Sequence, residues 1–121
     1  MSTQEIANRY VALCKESRFH DCLEFFSPDA VSVEAGGPPG ADLVATGLAA
    51  IRAKSEWWYN NHEVHKAEVF GPYPNANRFA VRFVFDITNK PSGQRMQMDE
   101  VGLFTIENGK ITREEFFYQA G

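Results

Sequence analysis

Acidic residues that could transfer protons lie among apolar residues near the end of the sequence. The stretch MDEVGLFTIENGKITREEFFYQAG begins at Met98 and carries Asp99, Glu100, Glu114 and Glu115 between apolar positions. A carboxyl group desolvated by apolar neighbours has a raised pKa and can act as a general acid or base near neutral pH. Which of these four acids face the interior therefore bears directly on function.

The Asn108-Gly109 pair predicts a hairpin and a register for these acids. Asn-Gly favours a two-residue type I′ turn, because both turn positions need positive φ. The strand pairs expected from that turn are Ile106–Ile111, Leu103–Glu114, Val101–Phe116 and Asp99–Tyr118. One face would then carry Asp99, Val101, Leu103, Thr105, Thr112, Glu114, Phe116 and Tyr118. Glu100 and Glu115 would lie on the other face, and since both faces mix charged and apolar residues, we expect both to be covered.

The elements that would position these acids are helices followed by strands. Apolar spacing predicts a helix over residues 2–16, a shorter helical stretch over 19–26 and a third helix from Thr46-Gly47, with Leu48, Ile51, Ser55 and Trp58 on one side. Strands are expected at 30–34, 63–70, 78–87, 95–106 and 110–118. Helices that precede antiparallel strands are typical of an α+β fold in which the helices pack on one face of a curved sheet.

An aromatic row in the strand at 78–87 marks one face as interior. Phe79, Val81, Phe83 and Phe85 alternate with more polar residues, as expected when one face of a strand is buried. These side chains could simply pack in the core or could also line a ligand cavity, and the two interpretations are compatible in a hollow sheet.

Length and charge narrow the class of protein. A chain of 121 residues is expected to form one domain over 1–121. Its net charge of −4, without a basic stripe, argues against a nucleic-acid partner. No apolar run is long enough to suggest a membrane span, and no signal peptide is evident. Cys14 and Cys22 are interpreted as buried thiols in a reducing compartment, so the expected location is cytoplasmic.

The whole chain resembles the NTF2-like superfamily, and within it the SnoaL-like and ketosteroid-isomerase-like members. The resemblance rests on PDAVSVE after the short second helix, the Gly-Pro loop, TGLAAIR opening the third helix, and FTIENGKITREEFFY at the end. It implies a cone-shaped α+β roll: a bent, antiparallel or mixed sheet wrapped around N-terminal helices, with a pocket at the open end. It also implies a homodimer through the outer face of the sheet.

The resemblance implies three catalytic positions. Ketosteroid isomerases use a carboxylate base, a tyrosine and a protonated carboxylic acid that donates to an oxyanion. In this sequence the tyrosine matches Tyr10 and the base matches Glu34. The third position falls on Val101, so the neutral acid is missing there, and Asp99 would have to serve from two residues away.

The orientation of several candidate residues is left open by the pattern. If Val31 and Val33 face the pocket, Glu34 points outward, because a shift of one residue reverses a strand. Glu114 could be a desolvated acid or could be paired with Arg52, Arg82 or another cation, as buried carboxylates usually are. Further side chains expected to line the pocket are Trp58, Phe79, Val81, Phe83, Val101, Leu103, Phe116 and Tyr118.

Two functional hypotheses follow. The first is a cofactor-independent isomerase or cyclase in which Glu34, or failing it Asp99 or Glu114, moves a proton beside a carbonyl while Tyr10 donates to the oxyanion. The second is a module of the same fold that binds a small apolar organic ligand, or a partner, without turnover. No spacing typical of a metal site, a nucleophile motif or a phosphate-binding loop is present.

Overall fold

The structure, a computed structural model, describes residues 1–119. The helical elements are α1 (Thr3–Lys15), a 3-10 helix (His20–Phe25) and α2 (Leu48–Asn61). The strands are β1 (Phe26–Val33), β2 (Val44–Thr46), β3 (His62–Asn75), β4 (Arg78–Asn89), β5 (Gln94–Glu107) and β6 (Lys110–Phe117). The predicted α+β order is confirmed. The short strand β2 was not predicted, and β1 begins at Phe26, four residues before the expected start.

The six strands form one curved, mixed sheet in the order β2-β1-β6-β5-β4-β3. Only β1 and β6 pair in parallel, and every other neighbouring pair is antiparallel. Irregular pairing in β3, around Val64 and around Phe70, accompanies the bend of the sheet. The parallel pairing matters for function because it places the end of β1 beside the end of the chain.

The first helix forms where its caps and its apolar face agree. Ser2 accepts a hydrogen bond from the backbone N–H of Glu5, and the Glu5 side chain returns one to the Ser2 backbone, which completes the predicted capping box. Ile6, Tyr10 and Cys14 are spaced by one helical turn and are all buried. They pack on the inner face of the sheet, where Phe79, Val81, Phe83, Phe85 and Ile87 alternate along β4.

The two cysteines lie together between α1 and the 3-10 helix. Cys14 and Cys22 are both free and buried, with their Sγ atoms 3.7 Å apart. The hydrogen bond with Cys22, together with burial, raises the pKa of the Cys14 thiol. The thiols are therefore part of the core, as the sequence predicted. No helix in the described part of the chain is both long and apolar enough to cross a membrane.

The hairpin turn is correctly predicted, but the register beyond it is not. Asn108 and Gly109 both have positive φ, and Ile106 pairs with Ile111. Immediately after, Thr105 pairs with Arg113, so that Thr112 is an extra residue on β6. This β-bulge shifts all later pairs by one residue and reverses which β5 residues share a face with Glu114. Phe104, not Leu103, lies opposite Glu114.

The bulge overturns three of the expected pocket positions. Asp99, Val101 and Leu103 lie on the outer face of the sheet, not beside Glu114. Asp99 makes two hydrogen bonds to the Arg82 guanidinium, at 3.0 and 2.7 Å, and this lowers the pKa of its carboxyl group. The expected Asp99–Tyr118 contact is therefore wrong, and Asp99 cannot act at the inner face.

Glycine at position 102 is required by the packing of two aromatic rings on the inner face. A Cβ at Gly102 would lie 2.9 Å from Cε2 and 3.0 Å from Cζ of Phe104, and 3.2 Å from Cε1 of Phe116. Real Cβ atoms essentially never come closer than 3.0 Å to such a neighbour, the other two distances are tighter than most real contacts, and Phe104 is fully buried. The glycine therefore lets the two rings close over the strand.

We expect Gly102→Ala to lower the free energy of unfolding by about 1–3 kcal/mol, because the added methyl group overpacks this contact. Denaturant unfolding monitored by circular dichroism measures the change. Gly37→Ala is the matched control, since its Cβ would meet only ordinary contacts of 3.5 and 3.6 Å. Equal stability of the two variants would contradict the packing role of Gly102.

Candidate active site

The strand β1 turns its polar residues toward the inside of the sheet. Ser32 is fully buried opposite Glu114, whereas Val31 and Val33 are only half-buried on the other face. Glu34, just after the strand, continues on the inner side with Ser32. Of the two orientations that the sequence left open, the structure therefore has Glu34 facing inward.

Lys54 of α2 reaches these inward residues and is the centre of the candidate site. Its Nζ atom lies 2.7 Å from Oε1 of Glu34 and also donates to Oγ of Ser32. Within α2, Ile51, Lys54 and Trp58 share a face by helical spacing. The same face that buries Ile51 in the core thus aims the ammonium group at the end of β1.

Glu114 is the most buried carboxyl group of the site. It is 5% exposed, and its Oε1 accepts a hydrogen bond of 2.7 Å from the hydroxyl of Ser32. Burial raises the pKa of Glu114 to about 7, although Lys54 and the Ser32 hydrogen bond act in the opposite direction. Glu114 is thus connected to a cation, as one of the sequence interpretations expected, but through a serine and not directly.

Glu100 is a second acid on the inner face, which sequence reasoning placed on the opposite side. It lies between Asp99 and Val101, both exposed on the outer face, and is itself half-buried. Burial, and next the negative charge of Glu34, raise the pKa of Glu100 to about 7. Within residues 1–119 its carboxyl group makes no hydrogen bond and no ion pair.

Tyr118 closes the site at the end of β6. Its hydroxyl lies 2.9 Å from Oε2 of Glu34 and 2.8 Å from the carbonyl oxygen of Gly36, and it accepts a hydrogen bond of 3.3 Å from the Gly36 N–H. The phenol has one proton, so it can donate to Glu34 or to Gly36 but not fully to both. Burial and the charge of Glu34 raise its pKa to about 12, so it stays protonated.

Aromatic side chains form the apolar side of the site. The ring of Phe116 lies below Lys54, with Nζ 5.3 Å from the ring centroid, and packs edge-on against Phe104. Tyr10 lies deeper, 6% exposed, with its ring against Phe79 and Phe104. Burial raises the pKa of Tyr10 well above its ordinary value, so its hydroxyl is also neutral.

The remaining predicted side chains occupy the interior farther along the sheet. Val81 and Phe83 are buried in β4. Trp58 is half-buried, stacked on His62 and tilted against Phe85. The site thus brings together Glu34, Glu114, Phe116 and Tyr118 of the predicted residues and excludes Asp99, Val101 and Leu103.

Three residues of the site, Lys54, Ser32 and Glu100, were missed by the sequence analysis. Lys54 had a usable signal, because it falls between Ile51 and Ser55 on the apolar side of a predicted helix. For Ser32 the alternation of the strand predicted only that it shares a face with Glu34, and it left open whether that face is the inner one. Glu100 had none, because the bulge at Thr112 that turns it inward leaves no mark in the apolar pattern.

Open depressions in the surface lie away from these acids. One of about 320 Å³ is lined by Lys66, Glu68, Val84, Asp86 and Gln97 on the outer sheet face. Another, of about 370 Å³, is lined by His20, Ser55, Glu56, Tyr59 and Asn60. Access to the acid cluster is instead from its half-exposed end, where the side chains of Lys54 and Glu34 are 28% and 25% exposed. In the described part of the chain, no group of three potential ligand residues could hold a metal ion.

The curved sheet with helices on its inner face is the NTF2-like fold. A family model described as the SnoaL-like domain matches residues 1–118, and the chain belongs to this family. A proposed SnoaL-like polyketide cyclase from Mesorhizobium loti is 46% identical, with a TM-score of 0.91 over 98% of this chain and 100% of that protein. A search of curated proteins found no match.

More distant solved structures share the fold. An NTF2-like protein of unknown function from Burkholderia pseudomallei is 16% identical, with a TM-score of 0.76 over 98% of this chain and 92% of its own. A protein of ketosteroid isomerase-like fold from Catenulispora acidiphila, in complex with trimethylamine, is 18% identical, with a TM-score of 0.73 over 95% and 85% of the two chains. The predicted resemblance to the superfamily is therefore confirmed.

The raised pKa of Glu114 predicts a pH dependence of stability. The folded protein binds the proton more tightly than the unfolded chain does, because the pKa rises from 4.5 to about 7 on folding. The contribution of Glu114 to the free energy of unfolding is therefore fully present below about pH 4.5 and is lost as pH rises through about 7. The loss from this residue is on the order of 3 kcal/mol. Glu114→Gln should remove most of that loss.

The test compares the free energy of unfolding of the wild type and Glu114→Gln at pH 5 and pH 8. The difference between the two proteins should grow with pH in favour of the variant. Glu107→Gln, at an exposed position near the hairpin turn, is the control and should follow the wild type. A pH dependence that is the same in all three proteins would mean that Glu114 ionises normally.

Proposed function

We propose that this chain is a cofactor-independent enzyme of the isomerase or cyclase type, which moves a proton beside a carbonyl group of an apolar substrate. The observation that carries the proposal is the convergence of Glu34, Glu100 and Glu114 on Lys54 at the half-exposed end of an aromatic core. Glu100 and Glu114, whose pKa values are raised to about 7, are suited to general acid–base catalysis near neutral pH. The 46% identity to a proposed polyketide cyclase over almost the whole chain supports the same class.

Glu34 is the proposed general base. It lies at the accessible end of the cluster, and among residues 1–119 its Oε2 has the Tyr118 hydroxyl as its one hydrogen-bond partner. The hydroxyl can turn its proton to the carbonyl oxygen of Gly36, at 2.8 Å, which frees Oε2 to accept a proton from substrate. Lys54, which donates to Oε1, would hold the carboxylate in a fixed orientation during this step.

Lys54 is the proposed donor to the developing oxyanion. An ammonium group has three N–H donors, and those of Lys54 that point to Glu34 and Ser32 leave one for a ligand. A preorganised cation beside an aromatic ring is an effective partner for negative charge that develops in the transition state. Lys54 would thereby fill the role of the neutral acid that is missing at Val101, with the protonated Tyr10 as a second, deeper donor.

A small apolar carbonyl compound is the proposed substrate. Its apolar part would contact the half-buried ring of Phe116, while the carbonyl oxygen would be directed toward Lys54. The proton transfer needs no cofactor. The two buried free thiols agree with a reducing compartment and hence with the expected cytoplasmic location.

One feature favours the second hypothesis, a ligand-binding module without turnover. Both oxygens of Glu34 are engaged by protein side chains, one by Lys54 and one by Tyr118. A fully partnered carboxylate is a poor base until one partner leaves. If the tyrosine never releases Oε2, the same residues would bind and orient a ligand without abstracting a proton.

Replacing Glu34 by Gln should separate these two functions. We expect at least a 100-fold loss of kcat for conversion of a β,γ-unsaturated ketone to its conjugated isomer, because general-base catalysis contributes about 10²–10⁴-fold. Ultraviolet absorbance of the conjugated product follows the reaction. Circular dichroism checks that the fold is kept.

Glu107→Gln makes the same chemical change at an exposed position and should retain wild-type turnover. Unchanged turnover in Glu34→Gln would remove Glu34 from the mechanism. Binding of a conjugated ketone by the wild type, measured by calorimetry, without turnover of any unsaturated ketone tested, would instead favour the ligand-binding module.

A homodimer through the outer face of the sheet is proposed as the assembled state. Phe70, Val101 and Phe117 are exposed on this face, in one row across the strands in which Arg82 lies between Phe70 and Val101. Burial of such apolar surface would favour association of a second copy.

Light scattering on the purified protein should therefore report about twice the chain mass, as for a closed two-fold dimer. Phe117→Lys should shift the mass toward the monomer, because it replaces the most exposed apolar side chain of this row with a charged one. Trp57→Lys changes an aromatic residue of similar exposure on α2, and should leave the dimer intact. A monomeric wild type would contradict the dimer.

A further inference from the structure

Ser32 connects two charged residues that come from different elements of the fold. It lies in β1 and is fully buried, with Lys54 of α2 on one side of its hydroxyl and Glu114 of β6 on the other. In the described part of the chain, Lys54 and Glu114 share neither a hydrogen bond nor an ion pair. Any influence of one on the other that needs a hydrogen bond therefore passes through this serine.

An ammonium group only donates and a carboxylate only accepts, so both hydrogen bonds have a fixed direction while Glu114 is ionised. The Ser32 oxygen therefore accepts from Lys54. The serine has one proton to give, and Oε1 of Glu114 lies 2.7 Å away as its acceptor. Because Oε1 already accepts this proton, it is the carbonyl-like oxygen of the acid when Glu114 is protonated. As long as Ser32 donates to Oε1, the proton of Glu114 is carried by Oε2.

We infer that Ser32 is a positioning residue: it couples the charge of Lys54 to Glu114 and reserves Oε2 of Glu114 as the oxygen that takes up and releases a proton. The contribution of this coupling to catalysis rests on the proposed function, but the position of the proton does not. Ser32 itself touches no substrate in this scheme. Its role is to orient the acid and to transmit the field of the ammonium group.

Groups from several elements around Glu114 determine the pKa of its carboxyl group. Lys54 from α2 and the hydroxyl of Ser32 favour the carboxylate, while burial and the charge of Glu34 favour the protonated acid. Glu100 on β5 and the buried Tyr10 on α1 also interact electrostatically with Glu114. The pKa near 7 is the balance of these opposing effects, so removal of either favourable partner should raise it.

The same coupling gives Glu114 a reason to change protonation during a reaction. Negative charge that develops on a ligand beside Lys54 would offset the ammonium charge that favours the Glu114 carboxylate. Proton affinity at Oε2 would then increase as the oxyanion forms. By thermodynamic linkage, protonation of Glu114 would in turn favour the bound anion.

The first test is a pH titration of the Glu114 carboxyl group by NMR, with ¹³C-labelled glutamate and the signal assigned by its absence in Glu114→Gln. Ser32→Ala should raise the midpoint by on the order of one pH unit, because the carboxylate loses a hydrogen bond. Lys54→Met, a change at a position about one quarter exposed, should also raise the midpoint. Ser27→Ala, on the same strand, should leave it unchanged.

The second test places the proton by infrared spectroscopy below the titration midpoint. The carbonyl stretch of protonated Glu114, assigned by its loss in Glu114→Gln, should move to higher frequency in Ser32→Ala, since Oε1 no longer accepts a hydrogen bond. A purely structural serine would not change this frequency.

An unchanged midpoint in both Ser32→Ala and Lys54→Met, or an unchanged carbonyl frequency in Ser32→Ala, would overturn the inference. Neither measurement needs a substrate. If the two spectroscopic shifts occur while Glu34→Gln keeps full turnover, the proposed catalytic role of Glu34 fails and the coupling stands.

Discussion

A carboxyl group inside an aromatic core must have a partner or remain protonated, and much of this structure follows from how Glu114 meets that requirement. An unpartnered buried charge costs several kcal/mol. The parallel pairing of β1 with β6 supplies Ser32 directly opposite Glu114, and α2 brings Lys54 to the same point. These contacts join three separate elements at one position. The sheet order, the orientation of β1 and the face of α2 are therefore all consistent with a single buried polar network.

Solvent exposure increases along this polar network, from Glu114 to Glu34. Glu114 and Ser32 are buried, whereas Lys54 and Glu34 are about one quarter exposed, and Tyr118 covers part of Glu34. Acids in a graded environment do not behave alike, because burial and neighbouring charges shift each pKa separately. Glu100 and Glu114 have pKa values of about 7, whereas the hydrogen bonds from Arg82 lower the pKa of Asp99 on the outer face. Differences of this kind can separate an acid from a base within one fold.

The sequence was sufficient for the order of the elements and for the turn at Asn108-Gly109, because both depend on local signals. The sequence was insufficient to decide which residues of β5 lie on the inner face of the sheet and which lie on the outer face. Thr112 is one extra residue in β6, and nothing in its type distinguishes it from a paired residue, yet it moves Glu100 inward and Asp99 outward. Glu34 could be aligned with the base position of a family but not oriented. Its orientation depends on the pairing of β1 with β6, some 80 residues later, which no local pattern contains.

The balance of charge in the site also limits the chemistry of a ligand. Lys54 contacts Glu34 and, through Ser32, Glu114, and Glu100 adds a third carboxyl group on the same face. With one ammonium group among three acids, a ligand that carried its own carboxylate would add to the repulsion, since like charges at short range are unfavourable in a partly buried site. A neutral carbonyl compound avoids that cost. Negative charge would then appear only as the proton is removed, at the one position where the Lys54 ammonium group can stabilise it.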